Sequence, residues 1–260
     1  MVALPDGTYL IMNGAHQGVA GFGLANDPNF ESLLYDPSKP LNSRFTRLAN
    51  TTVARMYHNE AVLMQDGRVL VSGSDPENLD GKYPQEYRVE VFIPPYLMAL
   101  NEPLSINVSQ QVQYNAGGSS NATNAPFANT TTSAANSTAC GARPVFNLVA
   151  NNTDWSYGGS YSFNMICGTA AKVSLMGAVS STHGNSMGQR TIFPAFSCSG
   201  STCTVTAPPN GHITGGPSWY MMFVMGSNGV PSIAEWVRIG GDPAGLGNWP
   251  AYSDFTHPGV

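Results

Sequence analysis

The chain has 260 residues, enough to bury one large core or two small ones. Only 10% of residues are charged and the net charge is −5, with no Lys/Arg cluster to neutralise phosphates, which argues against a nucleic-acid or anionic-membrane surface. No apolar run approaches the roughly 20 residues needed to span a bilayer, and the 28 glycines and 19 prolines favour turns over long helices.

Met1-Val2-Ala3-Leu4-Pro5-Asp6 has neither a charged n-region nor an apolar h-region, so it does not read as a signal peptide. The first hundred residues contain an internal repeat. Asp6-Gly7-Thr8-Tyr9-Leu10-Ile11 returns 60 residues later as Asp66-Gly67-Arg68-Val69-Leu70-Val71, each a tight turn followed by a short apolar strand. Each copy leads to a further strand ending in proline, Ser32 to Pro37 and Arg88 to Pro94. Several short strands at a period of 50 to 60 residues resemble kelch-type propeller blades. Residues 1–100 are therefore expected to form the last blades of such a propeller. Closure takes about four to eight blades, so the chain is expected to begin inside a larger protein whose N-terminal part supplies the rest.

Residues 101–139 are rich in Asn, Ser and Thr with almost no charge, and read as a linker or insertion. From Cys140 to Gly241, β-rich runs recur about every ten residues, among them 160–165, 171–176, 202–206 and 219–224. That spacing predicts an immunoglobulin-like antiparallel β-sandwich. Residues 242–260 read as an extended tail. The expected fold class is thus all-β, terminal propeller blades followed by a sandwich. Cys198-Ser-Gly-Ser-Thr-Cys203 is placed to close a hairpin by a disulfide, leaving Cys140 with Cys167 as the second pair. A zinc site is the alternative, without a Cys-x-x-Cys pair or nearby His to support it. Sequons at Asn50, Asn107, Asn121, Asn129, Asn136 and Asn151 point to a secreted glycoprotein, although an Asn/Ser/Thr-rich composition also produces sequons by chance.

Chemistry centres on two of the five histidines. Arg55-Met56-Tyr57-His58-Asn59-Glu60 sets a phenol beside an imidazole just before a strand. Adjacent side chains of a regular strand point to opposite faces, so a joint role needs irregular backbone; the alternative is an ordinary strand with Tyr57 inward and His58 outward. His183 lies in a polar, Gly-containing loop, Ser180 to Asn185. Two imidazoles and a phenolate suit Cu(II), and zinc accepts the same ligand types. His16 and His212 read as structural, and His257 sits in the tail. Asp75, Glu77 and Asp80 read as a solvated loop. No Gly-x-Ser-x-Gly, phosphate-loop or His-Glu-x-x-His pattern occurs.

Taken together, Met12-Asn13-Gly14-Ala15-His16-Gln17-Gly18, Arg55-Met56-Tyr57-His58-Asn59, Asp66 to Pro76, Val91-Phe92-Ile93-Pro94-Pro95-Tyr96-Leu97, Ser181-Thr182-His183-Gly184 and Val205 to Gly211 resemble, in order, the C-terminal part of the glyoxal oxidase and galactose oxidase-like copper-radical oxidases, here of the secreted fungal kind. The resemblance implies copper held by Tyr57, His58 and His183, with Tyr57 axial and accepting the substrate proton. It also implies oxidation of a small aldehyde or alcohol by O₂, giving H₂O₂. The family's Tyr–Cys radical cofactor is expected only from the N-terminal propeller portion, since no cysteine precedes Cys140. Alone, the chain is expected to be inactive. The alternative is a non-catalytic secreted glycosylated β-protein acting in binding or assembly, for which self-association through open strand edges is the natural mode.

Overall fold

The computed structural model describes residues 1–75, 83–98, 100, 141–182, 184–187 and 189–241. His183, His257, Cys140, Glu77, Asp80, the sequons at Asn107, Asn121, Asn129 and Asn136, and the expected linker and tail lie outside the described residues. The regular secondary structure described is almost entirely β-strand, with a few short helical turns.

The first part contains strands β1 (Val2–Ala3), β2 (Tyr9–Ile11), β3 (Ala15–Gly18), β4 (Ala25–Pro28), β5 (Leu33–Tyr35), β6 (Phe45–Arg47), β7 (Glu60–Leu63), β8 (Val69–Ser72) and β9 (Glu90–Phe92), then one helical turn, α1 (Pro95–Met98). Two antiparallel sheets result, ordered β1-β2-β5-β6 and β7-β8-β9. The repeat seen in the sequence is a repeat of turn geometry. Leu4 N–H donates to Thr8 O at 2.9 Å, and Met64 N–H donates to Arg68 O at 2.8 Å. In both turns the aspartate Oδ1 accepts the backbone N–H two residues on, Thr8 at 2.9 Å and Arg68 at 3.0 Å. Beyond the first strand the two copies diverge. A separate hairpin, β3 with β4, is inserted between β2 and β5 of the first sheet, where the sequence suggested only a connection.

The second part contains β10 (Val145–Leu148), β11 (Asp154–Trp155), β12 (Ser160–Cys167), β13 (Ala170–Gly177), β14 (Ser180–Thr182), β15 (Asn185–Met187), β16 (Thr191–Ile192), β17 (Phe196–Ser199), β18 (Thr202–Thr206), the short helix α2 (Gly211–Thr214), β19 (Ser218–Gly226) and β20 (Glu235–Ile239). Sheets ordered β10-β12-β18-β17 and β11-β20-β19-β13-β16 enclose a core that includes Phe146, Trp155, Phe163, Val173, Leu175, Val205, Tyr220, Met222, Val224 and Val237. The runs read from the sequence as sandwich strands are β12, β13, β18 and β19. The Asn210 side chain caps α2 by accepting from His212 N–H and Ile213 N–H.

The long apolar run of β19 explains how the two parts join. Its residues from Tyr220 to Gly226 are all buried. Tyr220, Met222 and Val224 point into the sandwich core, whereas Met221 and Phe223 belong to a second cluster with Val2, Leu4, Leu10, Leu63, Val69 and Val71. A strand covered on both faces loses the apolar/polar alternation and reads as a continuous apolar segment. Gln65 Nε2 and Ala234 O, 2.6 Å apart, add a polar tie across the same junction.

Cys198 and Cys203 face each other across β17 and β18 and are joined by a disulfide with Cα atoms 4.0 Å apart. Cys167 is also disulfide-bonded, and no cysteine among the described residues is free. These bonds exclude the zinc alternative for Cys167, Cys198 and Cys203. Closing so short a loop restricts the unfolded chain modestly, so replacing Cys198 and Cys203 together by serine is expected to lower stability by about 2 kcal/mol, read from urea denaturation.

Candidate metal-binding corner

Tyr57 and His58 do not lie in a strand. They form the middle of a turn closed by Asn59 N–H donating to Met56 O at 3.3 Å, immediately before β7. His58 has φ of +62°, in the left-handed region where turns usually place Gly or Asn. That conformation costs about 1–2 kcal/mol for a residue with a Cβ. It also overturns the in-and-out alternation of a strand. The two rings stack with centroids 4.0 Å apart and planes 27° from parallel. The two side chains therefore lie side by side, and the ordinary-strand alternative is excluded.

Several bonds hold the corner against its strain. Asp75 N–H donates to Tyr57 O at 2.8 Å, Met56 N–H to Ser74 Oγ at 2.9 Å, and Gly14 N–H to Arg55 O at 2.8 Å. Asn59 Nδ2 turns back onto Met56 O, while its Oδ1 accepts from Asn13 Nδ2 at 3.1 Å. Arg55 is fully buried and reaches Glu90, Arg88 O and Gly73 O. Arg55, Gly73, Asn13 and Asn59 were not singled out from the sequence. All four fall inside motifs quoted from the sequence, where none has a role of its own assigned.

The corner opens on a cavity of about 210 Å³, walled by Met56 to Asn59 and by Gly14, Gln17 and Gly18 of the β3–β4 hairpin. Phe22 from the same hairpin sets its ring edge-on to both Tyr57, at 5.0 Å, and His58, at 4.9 Å. His58 also borders a second depression with Asp75 and Glu86. Hydrogen bonds and charge from Arg88 hold the Glu86 carboxyl down to about 2, so Glu86 stays ionised, paired with Arg88, well into acid.

His16 lies on exposed β3 and is not among the residues lining the cavity. His212 sits in α2, where its carbonyl accepts from Arg190. Position 183 is outside the described residues, but its flanks are placed. The β14–β15 hairpin pairs Thr182 with Asn185, and a Cβ on Gly184 would lie 3.8 Å from the backbone and side-chain oxygens of Asn59. Ser181 Oγ donates to Glu60 Oε2. The sandwich thus sends this hairpin against the residues just after His58. Among the described residues, no group of three or more His, Cys, Asp and Glu side chains comes together. The described donors are a phenol oxygen and an imidazole nitrogen.

Residues 1–96 match the family model "Glyoxal oxidase N-terminus", and residues 143–239 match "Galactose oxidase-like, Early set domain". The two stretches follow one another in order and together cover most of the chain. The chain belongs to the glyoxal oxidase and galactose oxidase-like family. A WSC domain-containing protein of Arthroderma benhamiae is 52% identical across the whole chain, which covers 23% of that relative. "Aldehyde oxidase GLOX1" of Arabidopsis thaliana is 32% identical over 92% of the chain and 35% of its own length. A solved fungal alcohol oxidase of the AA5 family, in complex with copper, superposes with a TM-score of 0.64 at 22% identity, covering 92% of this chain and 41% of that one. That likeness establishes a shared fold. This family member spans about a quarter to a third of the length of these two relatives.

Proposed function

We propose that the chain is the C-terminal portion of a secreted copper-radical oxidase, and that Tyr57, His58 and His183 hold the copper. The observation that carries the reading is the strained corner that turns two consecutive side chains, phenol and imidazole, to one open cavity. This donor set fits Cu(II), which favours tetragonal N,O coordination. Bound there, copper would supply one-electron redox capacity and Lewis acidity. The chain's own contribution is to present the ligands, to wall the cavity with the β3–β4 hairpin, to set Phe22 against both rings, and to offer Tyr57 as acceptor of the substrate proton.

The overall reaction converts an aldehyde hydrate and O₂ into a carboxylic acid and H₂O₂, or an alcohol and O₂ into an aldehyde and H₂O₂. A Tyr–Cys radical cofactor, expected from an N-terminal propeller portion with which residues 1–100 would close as terminal blades, would supply the second one-electron redox equivalent. Without that portion the chain is inactive. Secretion accords with the disulfides, with sequons at the exposed Asn50 and Asn151, and with the absence of any membrane-spanning helix among the described residues.

One observation favours a second reading, a glycosylated protein acting in binding or self-association. Strand β6, at the edge of its sheet, is exposed along its length and carries Phe45 at 60% exposure. A titration of the full chain with Cu(II), followed by calorimetry and electron paramagnetic resonance, decides between them. One Cu(II) per chain is expected, with affinity falling at least about 100-fold in His58→Ala and in His183→Ala. Loss of the phenolate-to-copper absorption is expected in Tyr57→Phe. A chain that binds no copper, or variants that keep the parent affinity, would leave the binding or assembly reading standing.

A further inference from the structure

We infer that Arg55 is a positioning residue for the Tyr57–His58 corner, acting through a buried clamp with Glu90 and the Gly73 carbonyl; as a statement about copper, this rests on the function proposed above. Arg55 has no solvent exposure. A buried guanidinium is tolerated only where its charge and donors are met. Here they are met from two separate stretches of chain, residues 88–90 and Gly73. Nε donates to Glu90 Oε2 at 2.9 Å, Nη2 stands 2.8 Å from the same oxygen and donates to Arg88 O at 2.9 Å, and Nη1 donates to Gly73 O. Glu90 is in turn steadied by Thr51 Oγ1 at 3.3 Å.

The position of these partners gives the clamp its role. Arg55 is two residues before Tyr57 and three before His58, and its own carbonyl is tied to Gly14, which lines the cavity. Gly73 ends the strand whose next residues, Ser74 and Asp75, bond Met56 and Tyr57. One planar fork therefore locks the corner's entrance to the end of β8 and the start of β9. With those three anchors joined, His58 stays in its left-handed conformation and its ring stays beside Tyr57. Lysine keeps the charge but offers one compact ammonium in place of a rigid fork, so it cannot serve carboxylate and two carbonyls in the same geometry.

The test compares the full chain with Arg55→Lys and Glu90→Gln by hydrogen exchange without metal and by Cu(II) titration. In Arg55→Lys, the amides of Met56, Asn59 and Asp75 are expected to exchange about tenfold faster while those of β18 keep parental protection. Copper affinity is expected to fall about 10- to 100-fold with an altered paramagnetic spectrum, and Glu90→Gln should shift both readouts the same way by less. Should Arg55→Lys fail to fold, Glu90→Gln carries the comparison. Folded variants with parental exchange at those amides overturn the clamp, whether or not the parent binds copper. A parent that binds no copper, with exchange accelerated as expected, sinks the copper reading and leaves the clamp. Accelerated exchange with parental copper affinity and spectrum overturns the positioning role.

Discussion

Gly73→Ala is expected to destabilise the chain by about 2–5 kcal/mol and to disrupt the Tyr57–His58 corner. Two effects add. Gly73 has φ of +71°, where an alanine Cβ costs about 1–2 kcal/mol. That Cβ would also fall 2.3 Å from His58 O and 3.1 Å from Asn59 Cα, both backbone atoms with little room to yield. Such overpacking typically costs another 1–3 kcal/mol, about the same as the first term. Relief can come only by moving the His58 carbonyl or the end of β8, and either movement changes what the corner presents to the cavity. Gly14→Ala is the control. It has a similar φ of +90° and borders the same cavity, but nothing lies within 4 Å of its Cβ position. It should lose only the conformational part, about 1–2 kcal/mol. Urea midpoints of the two variants, with a Cu(II) titration of each, check the expectation. Equal losses would mean that the approach to His58 is not the cause.

Phe223→Ala should be the most damaging truncation at the junction of the two parts, at about 3–5 kcal/mol. Phe223 is fully buried, yet it does not face the sandwich core. Its ring lies in the cluster formed by β1, β7 and β8 with Met176 and Met221. The cavity it leaves would be shared by both parts, so hydrogen-exchange protection is expected to fall in β1, β7 and β8 as well as in β19. Ile166→Ala, on a side chain 60% exposed, should change stability by no more than about 0.5 kcal/mol. Protection lost from the sandwich alone would show that the parts do not share a core.

The elements visible in the sequence are those whose cause is local. The two Asp-Gly turns recur because an aspartate carboxyl two residues upstream caps the turn in each copy. The Cys198–Cys203 hairpin was legible because a five-residue separation with a glycine leaves few other geometries. Strands β12 and β18 showed themselves by period and turn residues. The β3–β4 hairpin was missed because its strands are exposed and polar and carry no apolar alternation.

The candidate site was legible in composition and illegible in arrangement. Neighbouring Tyr57 and His58 were there to be read, but adjacency in a strand would have separated them. Only contacts distant in sequence reverse that: Gly73 passing against the His58 carbonyl, and Arg55 reaching Glu90 across 35 positions. The approach of the β14–β15 hairpin to Glu60, across 121 positions, is of the same kind. By itself the sequence determined the residue types at the corner, the Asp-Gly turns and about half of the strands, since these depend on side chains a few positions apart. The tertiary structure decided that Tyr57 and His58 share one cavity and that β19 is buried on both faces, because buried charge and apolar area are satisfied only when remote segments meet.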